Sequence, residues 1–192
     1  EKTIVVLPEI INKLQNLEKK HIWLVLSEGW CGDAAQLLPI MHKMEVLTDN
    51  VDFKIVLRDE NEALMNEFLT NGGKSIPKLI ILNSETLEVL GDWGPRPNEA
   101  FDLVKNYKEK HGVLDETIKT ELQMWYLHNR GLSTQNEILE INDNVFQLTI
   151  MNTVLLDNSI IKLLFTNISE IAHTNKQIEN KFKLLYENVP YP

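Results

Sequence analysis

One cysteine occurs in the 192-residue chain, Cys31, and its neighbours suggest chemistry. In SEGWCGDAAQLLP, residues 27–39, Trp30 precedes the thiol, Gly32 and Asp33 follow it, and Ala34 stands where a second thiol would complete a redox pair. An apolar run ends just before Cys31 and a helical pattern begins just after it. Helix N-termini carry unpaired N–H groups and the positive end of the helix dipole, which stabilise a thiolate. Cys31 is therefore expected to be partly exposed, with a pKa below the free-thiol value of about 8.5. Asp33 in the first turn suits the dipole but opposes a thiolate, so the sequence does not fix the sign of its net effect on Cys31. A thiolate here is a nucleophile toward a disulfide or an oxidised thiol. The plainer reading of Cys31 is a small buried core residue, as most free cysteines are. A single cysteine excludes an internal disulfide and any zinc site built from several thiolates.

The elements that must position this thiol follow from periodicity. Ile4–Leu7 is a short β-branched run, read as a strand, and Pro8 suits the first turn of a helix over residues 8–20. His21–Ser27 is a continuous apolar run, as expected of a strand buried on both faces. Residues 32–48 read as a helix kinked at Pro39, Val51–Leu57 as a strand, and Asn61–Leu69 as a helix ended by Asn71-Gly72-Gly73. Lys78–Leu82 and Leu87–Leu90 read as strands joined by the short polar turn Asn83–Thr86. Gly91–Pro97 reads as a loop, and residues 98–110 as a helix. Alternation predicts parallel pairing, with one antiparallel hairpin at the end. The class is α/β, a central mixed sheet flanked by helices.

From Val113 onward the character changes. Residues 115–128 suggest a helix with Ile118, Leu122, Trp125 and Tyr126 on one side, and Thr134 with Glu137 fits a capping box. Residues 145–156 are compatible with helix or strand. Ile160, Leu164, Ile168 and Ile171 recur at helical spacing, as do Ile178, Phe182 and Leu185. The division is therefore 1–112 for the sheet domain and 113–192 for a mainly helical C-terminal extension of unassigned role. Because every element of the sheet precedes Gly131, residues 1–131 are expected to fold without the tail.

Trp30-Cys31-Gly32, with Pro39 eight residues after the cysteine, resembles the active-site helix of the thioredoxin superfamily. Ser75-Ile76-Pro77 before a strand resembles its cis-proline loop, and Gly91 and Gly94 resemble its glycine bend. Through EGWCGDAAQ, LRDEN, TNGGKSIPKLI and WGPRP the chain is more specifically similar to a bacterial thioredoxin-like family with a single-cysteine WCGDAAQ motif. The resemblance covers about residues 1–130 and implies a thioredoxin-like fold, with Cys31 catalytic and a groove for an extended peptide formed by Trp30, Gly32, Asp33, Ile76, Pro77 and Trp93. A cis Ile76–Pro77 bond would turn the Ile76 backbone toward the thiol. Trp30 read without the resemblance is plain core, and Asp92 and Trp93 either line the groove rim or close a loop. Two positions depart from the dithiol pattern. Ala34 replaces the resolving cysteine, and Val25 stands where thioredoxins carry a buried acid that serves that second thiol. The resemblance thus implies a monothiol oxidoreductase, or a non-catalytic module that binds extended peptides or partner proteins. Iron–sulfur binding, as in monothiol glutaredoxins, needs a glutathione pocket for which the sequence gives no sign.

Other motifs carry less. Gly72-Gly73-Lys74-Ser75 lacks the glycine a phosphate loop needs five residues before Gly73, where Phe68 stands. The five histidines are scattered without ligand spacing, so no metal and no cofactor are expected. Arg58 and Asp59 read as a solvated pair at a strand end. A net charge of -9 disfavours nucleic acid as a partner, and no run is long and apolar enough for a membrane span. The expected partners are a disulfide-containing or thiol-bearing protein, or a small thiol. The sequence does not give the oligomeric state. Single-cysteine usage suits the cytoplasm, although a chain beginning at Glu1 leaves a removed leader open.

Overall fold

The computed structural model describes the backbone of residues 4–148 and the side chains through residue 141. Within them β1 (His21–Ser27) is the inner strand on which the rest is built. All seven of its residues are buried, because neighbours flank it on both edges and helices cover both faces. The sheet has four strands in the order β2-β1-β3-β4, with β2 Val51–Leu57, β3 Lys78–Asn83 and β4 Val89–Trp93. Alternation along β1 separates two cores. Trp23 and Val25 pack with α1 (Pro8–Gln15), α2 (Gly32–Glu45) and α6 (Leu132–Leu148), through Leu14, Met41 and Ile138. Ile22, Leu24 and Leu26 pack with Leu64 and Met65 of α3 (Glu62–Glu67). Pro39 lies inside α2, as expected.

Several expectations are corrected. Only β1 and β2 pair in parallel, in the register His21↔Val51 to Ser27↔Leu57, whereas β3 runs antiparallel to β1. The cause is the shortness of α3: six residues make about 9 Å of helix, against roughly 23 Å for a strand the length of β2. The chain re-enters the sheet at the end it left. The last strand starts later than the apolar run suggests. Asn83 Oδ1 accepts from the N–H groups of Glu85 at 2.8 Å and Thr86 at 3.1 Å, and Leu87 takes φ 60°, which prolongs the turn. Gly91–Trp93 then pair with β3 instead of forming a loop. Gly91 allows this close packing, since a Cβ there would lie 2.5 Å from Ile141 Cγ2 of α6.

Ile4–Leu7 is extended but joins no strand. Its backbone is paired by a side chain: Gln135 Nε2 donates to the Val5 carbonyl and the Leu7 N–H donates to Gln135 Oε1, both at 3.1 Å. One amide thus does what a neighbouring strand would do. The Thr134–Glu137 capping box does not form. The α5 helix (Glu116–Asn129) ends with Arg130 and Gly131 both at positive φ, and α6 has begun before Thr134, which is buried. Asn129 and Ser133 tie the junction instead, through the bonds Nδ2 to Oγ at 2.7 Å and Ser133 N to Oδ1 at 3.2 Å. The α4 helix (Asn98–His111) packs against α5, and α6 lies on β4, α1 and α2. The helical stripes over 160–185 and the ambiguous stretch beyond 148 lie outside the described residues.

Candidate functional site

Cys31 is the N-cap residue of α2, in extended conformation, and is half-buried. A turn carries the chain from β1 to this position, with the Cys31 N–H donating to the Glu28 carbonyl at 3.1 Å. Across the site comes the segment before β3, with Ile76–Pro77 in the cis form. The thiol Sγ donates to the Ile76 carbonyl at 3.5 Å. Cys31, Ile76 and Pro77 are therefore brought together. Ala34 is 1% exposed and sits in the core one turn along α2, and Val25 is fully buried in the same core.

The expected low thiol pKa is corrected. Burial pushes the Cys31 thiol above its ordinary value, because removing water disfavours the thiolate. The Asp33 charge adds to this rise. The helix-start effect is present, in hydrogen bonds from the Ala34 and Asp33 amides, and the Arg96 guanidinium helps, but together they do not outweigh burial.

Asp33 does not face an open groove. Arg96 grips it with both arms, Nε to Oδ1 at 3.0 Å and a terminal nitrogen to Oδ2 at 2.6 Å. Tyr126 of α5 donates its hydroxyl to Oδ1 at 2.9 Å. The Asp33 side chain is only 12% exposed. Burial first, then the adjacent Asp33 charge, pushes the Tyr126 phenol far above its ordinary value. Arg96 and Tyr126 were not legible as site residues. Arg96 carried one usable signal, its position between Pro95 and Pro97, which fixes its backbone. Tyr126 carried none, since it meets Asp33 across 93 positions of chain.

Trp30 is 67% exposed beside the thiol, not core. Arg58 lies over its ring, 5.1 Å from guanidinium carbon to centroid. Arg58 also pairs with the exposed Asp59 at 2.9 Å, as expected of a solvated pair at the strand end, and donates to the Lys74 carbonyl at 3.2 Å. Gly32 opens α2 on the exposed side, with nothing within 4 Å of where a Cβ would stand. Trp93 is not brought into the groove. It is 6% exposed and donates its indole N–H to Glu137 at 2.8 Å, because β4 continues through it and α6 covers it. Asp92 forms an ion pair with the buried Lys78.

A parallel–antiparallel sheet with a cysteine at the start of the helix after β1, facing a cis-proline segment before β3, defines the thioredoxin-like class. The family model for thioredoxin matches residues 1–108, and the chain belongs to that family. Two solved structures share the fold. One is a protein of unknown function, PA1234 from Pseudomonas aeruginosa, at 18% identity and TM-score 0.56, covering 73% of this chain and 75% of that one. The other is the HIV epitope-scaffold 4E10_S0, at 22% identity and TM-score 0.54, covering 72% of this chain and 75% of that one. Among curated proteins, none matches. No described helix is long and apolar enough to cross a membrane.

Proposed function

We propose that this thioredoxin-family chain acts through Cys31 as a monothiol thiol–disulfide oxidoreductase, of the bacterial single-cysteine type its WCGDAAQ motif resembles. The carrying observation is the half-buried Sγ at the start of α2, 3.5 Å from the Ile76 carbonyl beside Pro77. The Cys31 thiolate attacks one sulfur of a substrate disulfide. One S–S bond breaks, a new one forms to Cys31, and the other substrate sulfur leaves as a thiolate. Ala34 offers no second thiol, so an external thiolate attacks the mixed disulfide. That attack, at the Cys31 sulfur, releases the second substrate sulfur as a thiolate. A second external thiolate then attacks the external sulfur now bonded to Cys31, so that Cys31 is regenerated and two external thiols become one disulfide as the substrate disulfide becomes two thiols. Trp30, Gly32 and the Ile76–Pro77 segment form the contact surface for an extended disulfide-bearing or thiol-bearing partner. A cytoplasmic setting supplies small thiols for the second step.

A second reading, a non-catalytic module that binds extended peptides, is favoured by one observation. Sγ donates to a backbone carbonyl, and burial pushes the thiol above its ordinary value. A disulfide-reduction assay separates the two. The parent is expected to give stoichiometric capture alone and turnover only with added thiol. Ala34→Cys, whose second sulfur lies one helical turn from Cys31, is expected to cycle by itself, slowly because Val25 supplies no buried base. Unaided turnover by the parent, or no reaction through Cys31 in either protein, removes the monothiol reading.

A further inference from the structure

Three titratable side chains from three separate segments meet at the first turn of the helix that Cys31 caps: Asp33 of α2, Arg96 of the β4–α4 loop and Tyr126 of α5. We infer that Arg96 is a latent counter-ion for the Cys31 thiolate, and that Asp33, secured by Tyr126, masks it and so holds down the thiol's ionisation. The inference rests on the reading of Cys31 as the reacting thiol.

The geometry carries it. Both carboxylate oxygens of Asp33 are engaged by one guanidinium, a forked pair whose charges cancel locally. The phenol donates to Oδ1 as well, which fixes the carboxylate in that orientation. The side chains are 12% exposed for Asp33 and 24% for Arg96, so water screens them weakly. Asp33 also lies in the first turn of α2, where the helix dipole favours its charge. The groups that act on Cys31 are thus Asp33 and the α2 amides on its own helix and Arg96 from the loop before α4 through their charges and dipoles, with Tyr126 of α5 bonded to Asp33 and the Ile76 carbonyl accepting from Sγ. With Asp33 neutral, the full positive charge of Arg96 would act on the thiolate. With Arg96 replaced by a neutral side chain, the full negative charge of Asp33 would oppose it. Asp33, Arg96 and Tyr126 are positioning residues in this scheme, and none is asked to touch substrate.

The test is the pH midpoint of Cys31 ionisation in the full chain, from the alkylation rate by iodoacetamide and, independently, from thiolate ultraviolet absorbance. Asp33→Asn is expected to lower the midpoint by about one pH unit and Arg96→Gln to raise it by about as much. The double variant is expected to return close to the parent. Tyr126→Phe, which loosens the carboxylate's hold on Arg96, is expected to lower it by less than Asp33→Asn does. Arg96→Lys keeps the charge and is expected to stay closer to the parent than Arg96→Gln, which separates charge from loss of folding. Single variants that leave the midpoint unmoved, or that move it in the same direction, overturn the inference, as does movement in only one of them. Disulfide capture is scored separately. Midpoints that shift as stated in a chain that captures no disulfide uphold this inference and remove the monothiol reading. Capture with unmoved midpoints does the reverse.

Discussion

A thiol at a helix start feels two opposed influences, and at Cys31 burial is the larger. The α2 amides and Arg96 favour the thiolate, while loss of water and the Asp33 charge favour the thiol. The sign of the pH dependence follows. Below the raised midpoint the thiolate fraction grows about tenfold per pH unit, so alkylation at pH 8.5 should run about ten times faster than at pH 7.5. A rate already flat across that interval would mean a depressed thiol. Stability has the matching sign. A folded thiol with a raised pKa binds its proton more tightly than the unfolded chain does. Its contribution is complete below the unfolded value and is lost as pH rises through the folded one. The types and positions of Cys31, Ile76 and Pro77 were legible, because a local motif carries them. The direction of the thiol's shift was not, because burial is a property of the packed molecule. Nor was the clamping of Asp33 by Arg96 and Tyr126, which come from far along the chain.

Where elements meet, single side chains stand in for regular pairing. Gln135 is fully buried and serves the Val5 carbonyl and the Leu7 N–H together. Gln135→Ala should therefore lower stability by about 1–3 kcal/mol, read as a lower urea midpoint with little change in slope. An unchanged midpoint would mean that the extended N-terminal segment contributes nothing to the fold. Gly131 has φ 81°, and a Cβ on it would lie 2.7 Å from Ile40 Cδ1 of α2. Gly131→Ala combines left-handed strain with a clash and should cost about 2–3 kcal/mol in the same measurement. β1 and β2 were readable to the residue, since an apolar run of strand length has few other homes in an α/β chain. Ile4–Leu7 was not, because its β-branched pattern is real but its partner is an amide on α6. The start of β4 was hidden by the Asn83 turn, and the antiparallel run of β3 by the shortness of α3.

At the scale of the molecule, α5 and α6 share the core of the sheet domain. Tyr126, Ile138 and Leu139 are buried in the cluster that holds Trp23 and Leu37, and Glu137 binds the Trp93 indole and the Asn98 N–H that opens α4. Sequence could show that every strand precedes Gly131, but not that β4 needs α6 to cover it. This packing leads us to expect that a chain ending at Gly131 loses cooperative unfolding or solubility, with the thermal transition as the readout. A sharp transition close to that of the full chain would instead support residues 1–131 as an independent unit. The central claim, that one thiol captures a disulfide and needs an external thiol for release, is tested most directly by the intact mass of the protein after incubation with excess oxidised glutathione across pH 7 to 9. A single glutathione adduct on Cys31 is expected, formed faster as pH rises, absent in Cys31→Ser, and cleared only when a reducing thiol is added. No adduct at any pH, or an adduct that disappears without added thiol, would contradict it.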